Sequence, residues 1–272
     1  MPPLPSRYWQ DLPWPAFRDL PANTVAVLPV ASIEQHGPHL PVAVDTTIGN
    51  GVIARTLAIA PPDLPVLVLP TQSVANSVEH LRFPGTLTTK PETLLALVTD
   101  IGASVARAGV KRMVICNSHG GNVAVLDIAA RRIRIESGLF VVNAMWARMG
   151  KPEALRDPVE GAYGIHAGRD ETAVMLALTP HLVRMGEARN FVSRWQGAAN
   201  AAPALHPGAG SPLAWQAQDL NPAGAVGDAS AATVEIGNAL LDHAAENMLR
   251  LWQQVSAFQT DAWLANEPDA HG

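Results

Sequence analysis

The sequence predicts an α/β fold, a mainly parallel sheet covered by helices on both faces. Two observations lead there. Short apolar runs that read as buried strands alternate with segments whose apolar residues recur at helical spacing, the pattern of βαβ units. Clusters of acids, histidines and glycines stand directly after two of those strands, and parallel sheets bind ligands beyond the carboxyl ends of their strands. At 272 residues and 48% hydrophobic content the chain can bury a large core, and it is read as one domain over 1–272 with a tail from about 259.

Val25–Val30 is the first predicted strand. The stripe Ile48, Val52, Ile53, Thr56 and Leu57 predicts a helix after it, and Val66–Pro70 a second strand. Leu94, Leu95, Val98, Ile101 and Val105 mark the next helix, followed by a strand at Arg112–Cys116. Val125, Ile128, Ala129 and Ile133 predict a helix from about Asn122 to Ile135, and Phe140–Asn143 a fourth strand. Further on, helices are predicted at about Asp170–Leu178 and Ala232–Val255. Between these two, Asn190–Ser230 is rich in Ala, Gly and Pro and carries Trp195 and Trp215; long loops of this kind serve as lids, binding loops or subunit contacts.

Composition narrows the function. Net charge is −5 and the lysines number only three (Lys90, Lys111, Lys151), so there is no basic footprint for nucleic acid. Arg131, Arg132 and Arg134 read as a solvated helix face. The single Cys116 excludes an intrachain disulfide and a cysteine-based metal knot. Apolar runs are all too interrupted to span a bilayer, and the N-terminus lacks the plan of a signal peptide, so the expected location is cytoplasmic, away from membranes.

The chemistry concentrates in three clusters. Glu34-Gln35-His36-Gly37-Pro38-His39, with Asp45 beyond, follows the first strand. In an extended chain Glu34 and His36 share a face, with Cα atoms roughly 7 Å apart, within reach of one metal or of two adjacent metals. Asp45 by itself reads as a helix N-cap; its acidic and imidazole company favours a carboxylate serving two metals. Cys116-Asn117-Ser118-His119-Gly120-Gly121-Asn122 follows the third strand, and its glycines match neither the dinucleotide nor the P-loop pattern, which disfavours a phosphate-binding turn. In His166-Ala167-Gly168-Arg169-Asp170-Glu171-Thr172, His166 and Glu171 can converge as a proton donor and a ligand. A weaker run, Glu79-His80-Leu81-Arg82-Phe83-Pro84-Gly85-Thr86, puts His80 at the pocket wall.

Taken together, Glu34-x-His36-Gly37-x-His39-Leu40-Pro41 with Asp45, Asn117-x-His119-Gly120-Gly121-Asn122 and His166-Ala167-Gly168-x-x-Glu171-Thr172 resemble the creatininase family of metal-dependent amidohydrolases along residues 20–180. The resemblance implies a three-layer α/β/α fold, a homohexamer, and two divalent metal ions per chain, zinc first, with manganese and iron as alternatives. It implies Glu34 and His119 on one ion, His36 on the other and Asp45 bridging. Creatininase carries a glutamate where this chain has Gly121 and a tyrosine where it has Gly120, and Glu171 is expected to supply the missing carboxylate. The segment Glu160–Gly164 also lacks the family's tryptophan, which argues against creatinine as substrate; Trp146 is expected to close over the pocket. Relatives of the Gly-Gly type include formamide hydrolases and a peptidase that trims a modified peptide.

The expected reaction is hydrolysis of a non-peptide C–N bond, a cyclic amide or formamide, in a small polar molecule by metal-activated water. His166 is the expected general acid, and His39 is expected to orient Glu34 or His36. The alternatives are a peptidase acting on a short or modified peptide through the same site, and a non-catalytic metal-binding or ligand-binding protein of this fold.

Overall fold

A computed structural model describes residues 4–199, 201–206 and 211–264. Its centre is a four-stranded sheet of β1 (Val25–Val30), β2 (Val66–Val68), β3 (Arg112–Asn117) and β4 (Phe140–Met145). The spatial order is β2-β1-β3-β4 and every pairing is parallel. β1, β2 and β3 are buried along their whole length, which explains their unbroken apolar sequence: strands covered on both faces need no polar alternation.

Alternate residues serve the two faces. Ala26, Leu28, Val30, Met113 and Ile115 pack against α2 (Pro91–Arg107) and α3 (Val123–Ser137) through Leu94, Val98, Leu126 and Ile133. Val25, Val27, Val114 and Cys116 face the other way, toward Ile53 of α1 (Val44–Ile59) and Met248, Trp252 and Val255 of the long final helix Val234–Ala257. The result is the three-layer α/β/α arrangement. Cys116 is closed in, its Sγ 3.7 Å from Met248 Sδ, and burial pushes its thiol up to about 12.

On that second side α5 (Arg169–Leu178) lies between α1 and the final helix, sharing Val44, Ile48, Val174, Met175, Leu240 and Leu241 as an apolar junction. Gly237 makes the junction possible: a Cβ there would overlap the Ala173 carbonyl.

The sequence pattern and the structure differ at several edges. β2 ends at Val68 rather than Pro70: Leu69 N–H still donates to the Val27 carbonyl, but the next donor due from β1 is Pro29, which has no N–H. The helix at α1 starts at Val44 with Ala43 at its cap, so Asp45 lies inside the first turn, where Ser32 Oγ donates to its carboxylate. Pro158–Tyr163 forms a short helix (α4) that periodicity did not reveal; Asp157 caps it by accepting from the Val159 and Glu160 amides. The loop region from 190 holds the antiparallel pair Asn190–Phe191 with Gly227–Asp228 and two short helices, Arg194–Ala198 and Ala217–Leu220.

The expected tail begins with ordered structure at the residues described. Thr260–Leu264 is helical, Trp263 meets the Phe258 ring edge-on, Phe258 stacks on Phe140, and the Arg112 guanidinium donates to the Val255 and Phe258 carbonyls. Residues 265–272 of that expectation lie outside the described residues. Arg131, Arg132 and Arg134 are exposed while Ile133 points into the core. Among the described residues no helix is long and apolar enough to cross a membrane.

Candidate metal centre

The carboxyl ends of the strands deliver the site. The loop after β1 brings Glu34 and His36, and the first turn of α1 brings Asp45; the loop after β2 brings Asn76, Glu79 and His80; that after β3 brings His119 and Gly121; and β4 runs directly into Trp146. The Asn122 side chain clips three of these loops together: its amide donates to the Ala31 carbonyl and Asn117 Oδ1, and its oxygen accepts from the Asn76 amide. His166 and Glu171 come from the N-terminal approach to α5, where the Ala167 N–H donates to Glu171 Oε2 at 2.6 Å.

Among the described residues potential ligand atoms meet in three groups, Glu34–His36–His166, Glu34–Asp45–His119 and His36–Asp45–Glu171, each with its atoms within 4.8 Å of one another. His36 Nε2 is 3.6 Å from Asp45 Oδ1, 3.9 Å from Glu171 Oε2 and 4.0 Å from Glu34 Oε1. His119 Nδ1 is 3.2 Å from Asp45 Oδ2, and its Nε2 is 3.2 Å from Glu34 Oε2. Atoms that each lie about 2 Å from a shared ion stand roughly 3–4 Å apart, so the His36 spacings and the His119 Nδ1–Asp45 pair suit metal ligands.

The hydrogen bonding agrees. Glu34 is fully buried, yet among the described residues neither of its carboxylate oxygens has a hydrogen-bond partner, and neither does His36 Nε2. Orphaned buried groups of this kind cost free energy unless an ion satisfies them. His36 Nδ1 sits 3.0 Å from the Glu34 carbonyl, which only accepts, so Nδ1 holds the proton and Nε2 turns its lone pair into the cluster. With Asp45 common to two of the groups, the residues fit a dinuclear centre of mixed imidazole and carboxylate donors.

Among the protein groups alone, acids and imidazoles balance one another. Burial opposes a charged His36, but Asp45, Glu171 and Glu34 outweigh it and raise the imidazole to about 9. His119 is likewise raised well above its ordinary value, against burial, by Glu34 and Asp45. Asp45 is held well below the usual carboxylate range, again against burial, by His36 and His119. Burial pushes Glu171 up to about 7, with His36 opposing.

His166 Nε2 donates to the Gln35 carbonyl at 2.8 Å, leaving Nδ1 facing the centre, 3.7 Å from Glu34 Oε1. Burial, then His36 and His80, lower its imidazole well below the ordinary value. His80 lines the pocket with Nε2 3.3 Å from Glu34 Oε1, and burial lowers it to about 4. His39 does not orient Glu34 or His36. Its Nε2 pairs with Thr172 Oγ1 at 2.9 Å and its ring stacks on Phe191, so it ties the β1 loop to α5, and burial lowers it to about 4. Gly120 and Trp146 line a cavity of about 570 Å³ over the centre, a volume typical of ligand sites.

Two contributors escaped sequence reasoning. Gln35 Nε2 donates to His80 Nδ1 and to the Gly224 carbonyl, both at 2.8 Å, while Gln35 Oε1 accepts from the Gly37 amide. Donation to Nδ1 fixes the His80 proton on Nε2, toward Glu34. Glu79 approaches His119 Nε2 to 3.5 Å and lines the same cavity. The only sequence signal for either was adjacency to a candidate histidine.

Comparison with known proteins gives consistent matches. The family model described as creatininase, creatinine amidohydrolase, matches residues 10–252. The mycofactocin precursor peptide peptidase of Mycobacterium tuberculosis is 38% identical over 184 residues, 65% of this chain and 64% of that protein. The creatinine amidohydrolase of Pseudomonas putida is 33% identical over 187 residues, 64% of this chain and 72% of that protein. The crystal structure of a creatinine amidohydrolase superposes with a TM-score of 0.73 at 25% identity, covering 94% of this chain and all of the other. The chain thus spans just under two thirds of the length of the mycofactocin peptidases it matches. These relatives overturn the expectation of a hydrolase restricted to non-peptide C–N bonds, because those of higher identity are named for cleaving a peptide.

Proposed function

The chain belongs to the creatininase family, and from that premise we propose that it is a metal-dependent peptidase acting on a short or modified peptide. The observation that carries the substrate class is the higher identity to mycofactocin precursor peptide peptidases than to creatinine amidohydrolase, 38% against 33%. The cavity lining is consistent with it: a Cβ on exposed Gly120 would meet nothing within 4 Å among the described residues, which leaves room for an extended substrate.

In this reading Glu34, Asp45 and His119 would hold one divalent ion and His36, Asp45 and Glu171 a second. Zinc is the first choice, since nitrogen and oxygen donors bind it more tightly than manganese or iron. Divalent ions there would supply Lewis acidity toward the scissile carbonyl and acidify water at neutral pH. His166, anchored through Nε2 on the Gln35 carbonyl, takes a proton at Nδ1 and returns it to the departing amine. Gln35 holds the His80 ring beside Glu34, and Trp146 forms an apolar wall that limits water.

The test is incubation of the zinc-loaded chain with a panel of short peptides, creatinine and formamides, followed by mass spectrometry, with a chelator-stripped control. Scission of a peptide bond only in the loaded sample is expected. Turnover confined to creatinine or formamides would overturn the proposal.

A further inference from the structure

We propose that Glu79 is a positioning residue for His119, and that position 121 is glycine in order to admit it. The inference rests on the reading of His119 as a metal ligand. His119 Nε2 lies 2.9 Å from the Asn76 carbonyl, which only accepts, so that nitrogen carries the ring proton. The lone pair of Nδ1 is thereby turned toward Asp45 Oδ2, 3.2 Å away. Glu79 Oε1 stands 3.5 Å from the protonated nitrogen, and His119 is its one ion-pair partner among the described residues. A carboxylate beside the outer N–H of a ligating imidazole fixes the ring and raises its basicity. Glu79 takes part in none of the ligand groups, so its place is behind the imidazole.

Gly121 supplies the second line of argument. Its backbone is not in the left-handed region, so conformational freedom does not account for the glycine. Space does. A Cβ at 121 would overlap Glu79 Oε1 and would come within 2.5 Å of His119 Nε2 and 2.8 Å of the Asn76 carbonyl. The bare position and the glutamate from the β2 loop thus form one unit, the acid filling the space that a side chain at 121 would take.

The experiment is competition for zinc between the full chain and a chromophoric chelator, for wild type, Glu79→Gln, Gly121→Ala and the double variant, with thermal melting alongside. Glu79→Gln keeps the shape and removes the charge. It is expected to weaken one of the zinc sites about 10–100-fold while the metal-free melting temperature holds. Gly121→Ala should lose at least as much, because its Cβ meets His119 Nε2 and the Asn76 carbonyl as well as Glu79, and the double variant should be no better than Gly121→Ala. Zinc affinity of Glu79→Gln equal to wild type would overturn the proposal, as would unchanged affinity with a raised KM, which would put Glu79 against substrate. If wild type itself bound no zinc, the metal reading would fall first.

Discussion

His166 is the residue on which catalysis should depend most steeply without loss of the centre. It is held by a backbone carbonyl and presents one nitrogen inward. His166→Ala is expected to lower kcat about 10²–10⁴-fold while zinc content, by elemental analysis, stays at wild-type level. A kcat within a few-fold of wild type would remove the proton-transfer role. At this scale much of the site was legible. Glu34, His36, Asp45, His119, His166 and Glu171 all follow a strand or open a helix, and acids beside imidazoles there demand an explanation. Glu79 and Gln35 were not, because their meaning comes from atoms on other loops: Glu79 from a missing Cβ at Gly121, Gln35 from the rings of His80 and His166.

Between elements, the decisive contact is the crossing of α5 with the final helix. Gly237 lies so close to the Ala173 carbonyl that even a methyl forces the helices apart. Gly237→Ala should therefore destabilise the chain by about 1–3 kcal/mol, read from the midpoint of urea unfolding. Because α5 carries Glu171, zinc affinity should fall with it; unchanged stability would mean that the helices slide freely at this point. The strands and long helices were readable from periodicity within a residue or two. Pro158–Tyr163 was not, since six residues hold too little of the 3.6-residue period, and the pieces after 190 take their form from packing.

For the molecule as a whole, protons and metal should compete. His36, raised to about 9, and His119, raised well above its ordinary value, both favour the protonated form at neutral pH in the absence of an ion. A ligating imidazole must be neutral, so loading expels those protons. Zinc affinity should then climb as pH rises from about 6 toward 9, and calorimetry in buffers of different ionisation enthalpy should register proton release. A flat profile would show that these imidazoles are not ligands. The same architecture has a practical side, through Cys116. The chain's one thiol is sealed beneath the sheet and hard to ionise, so sulfhydryl reagents find nothing to attack on the native molecule. A cysteine introduced at exposed Ala147 on the cavity rim would be the sole reactive handle, and a dye attached there would signal substrate arrival in real time without the replacement of any native thiol.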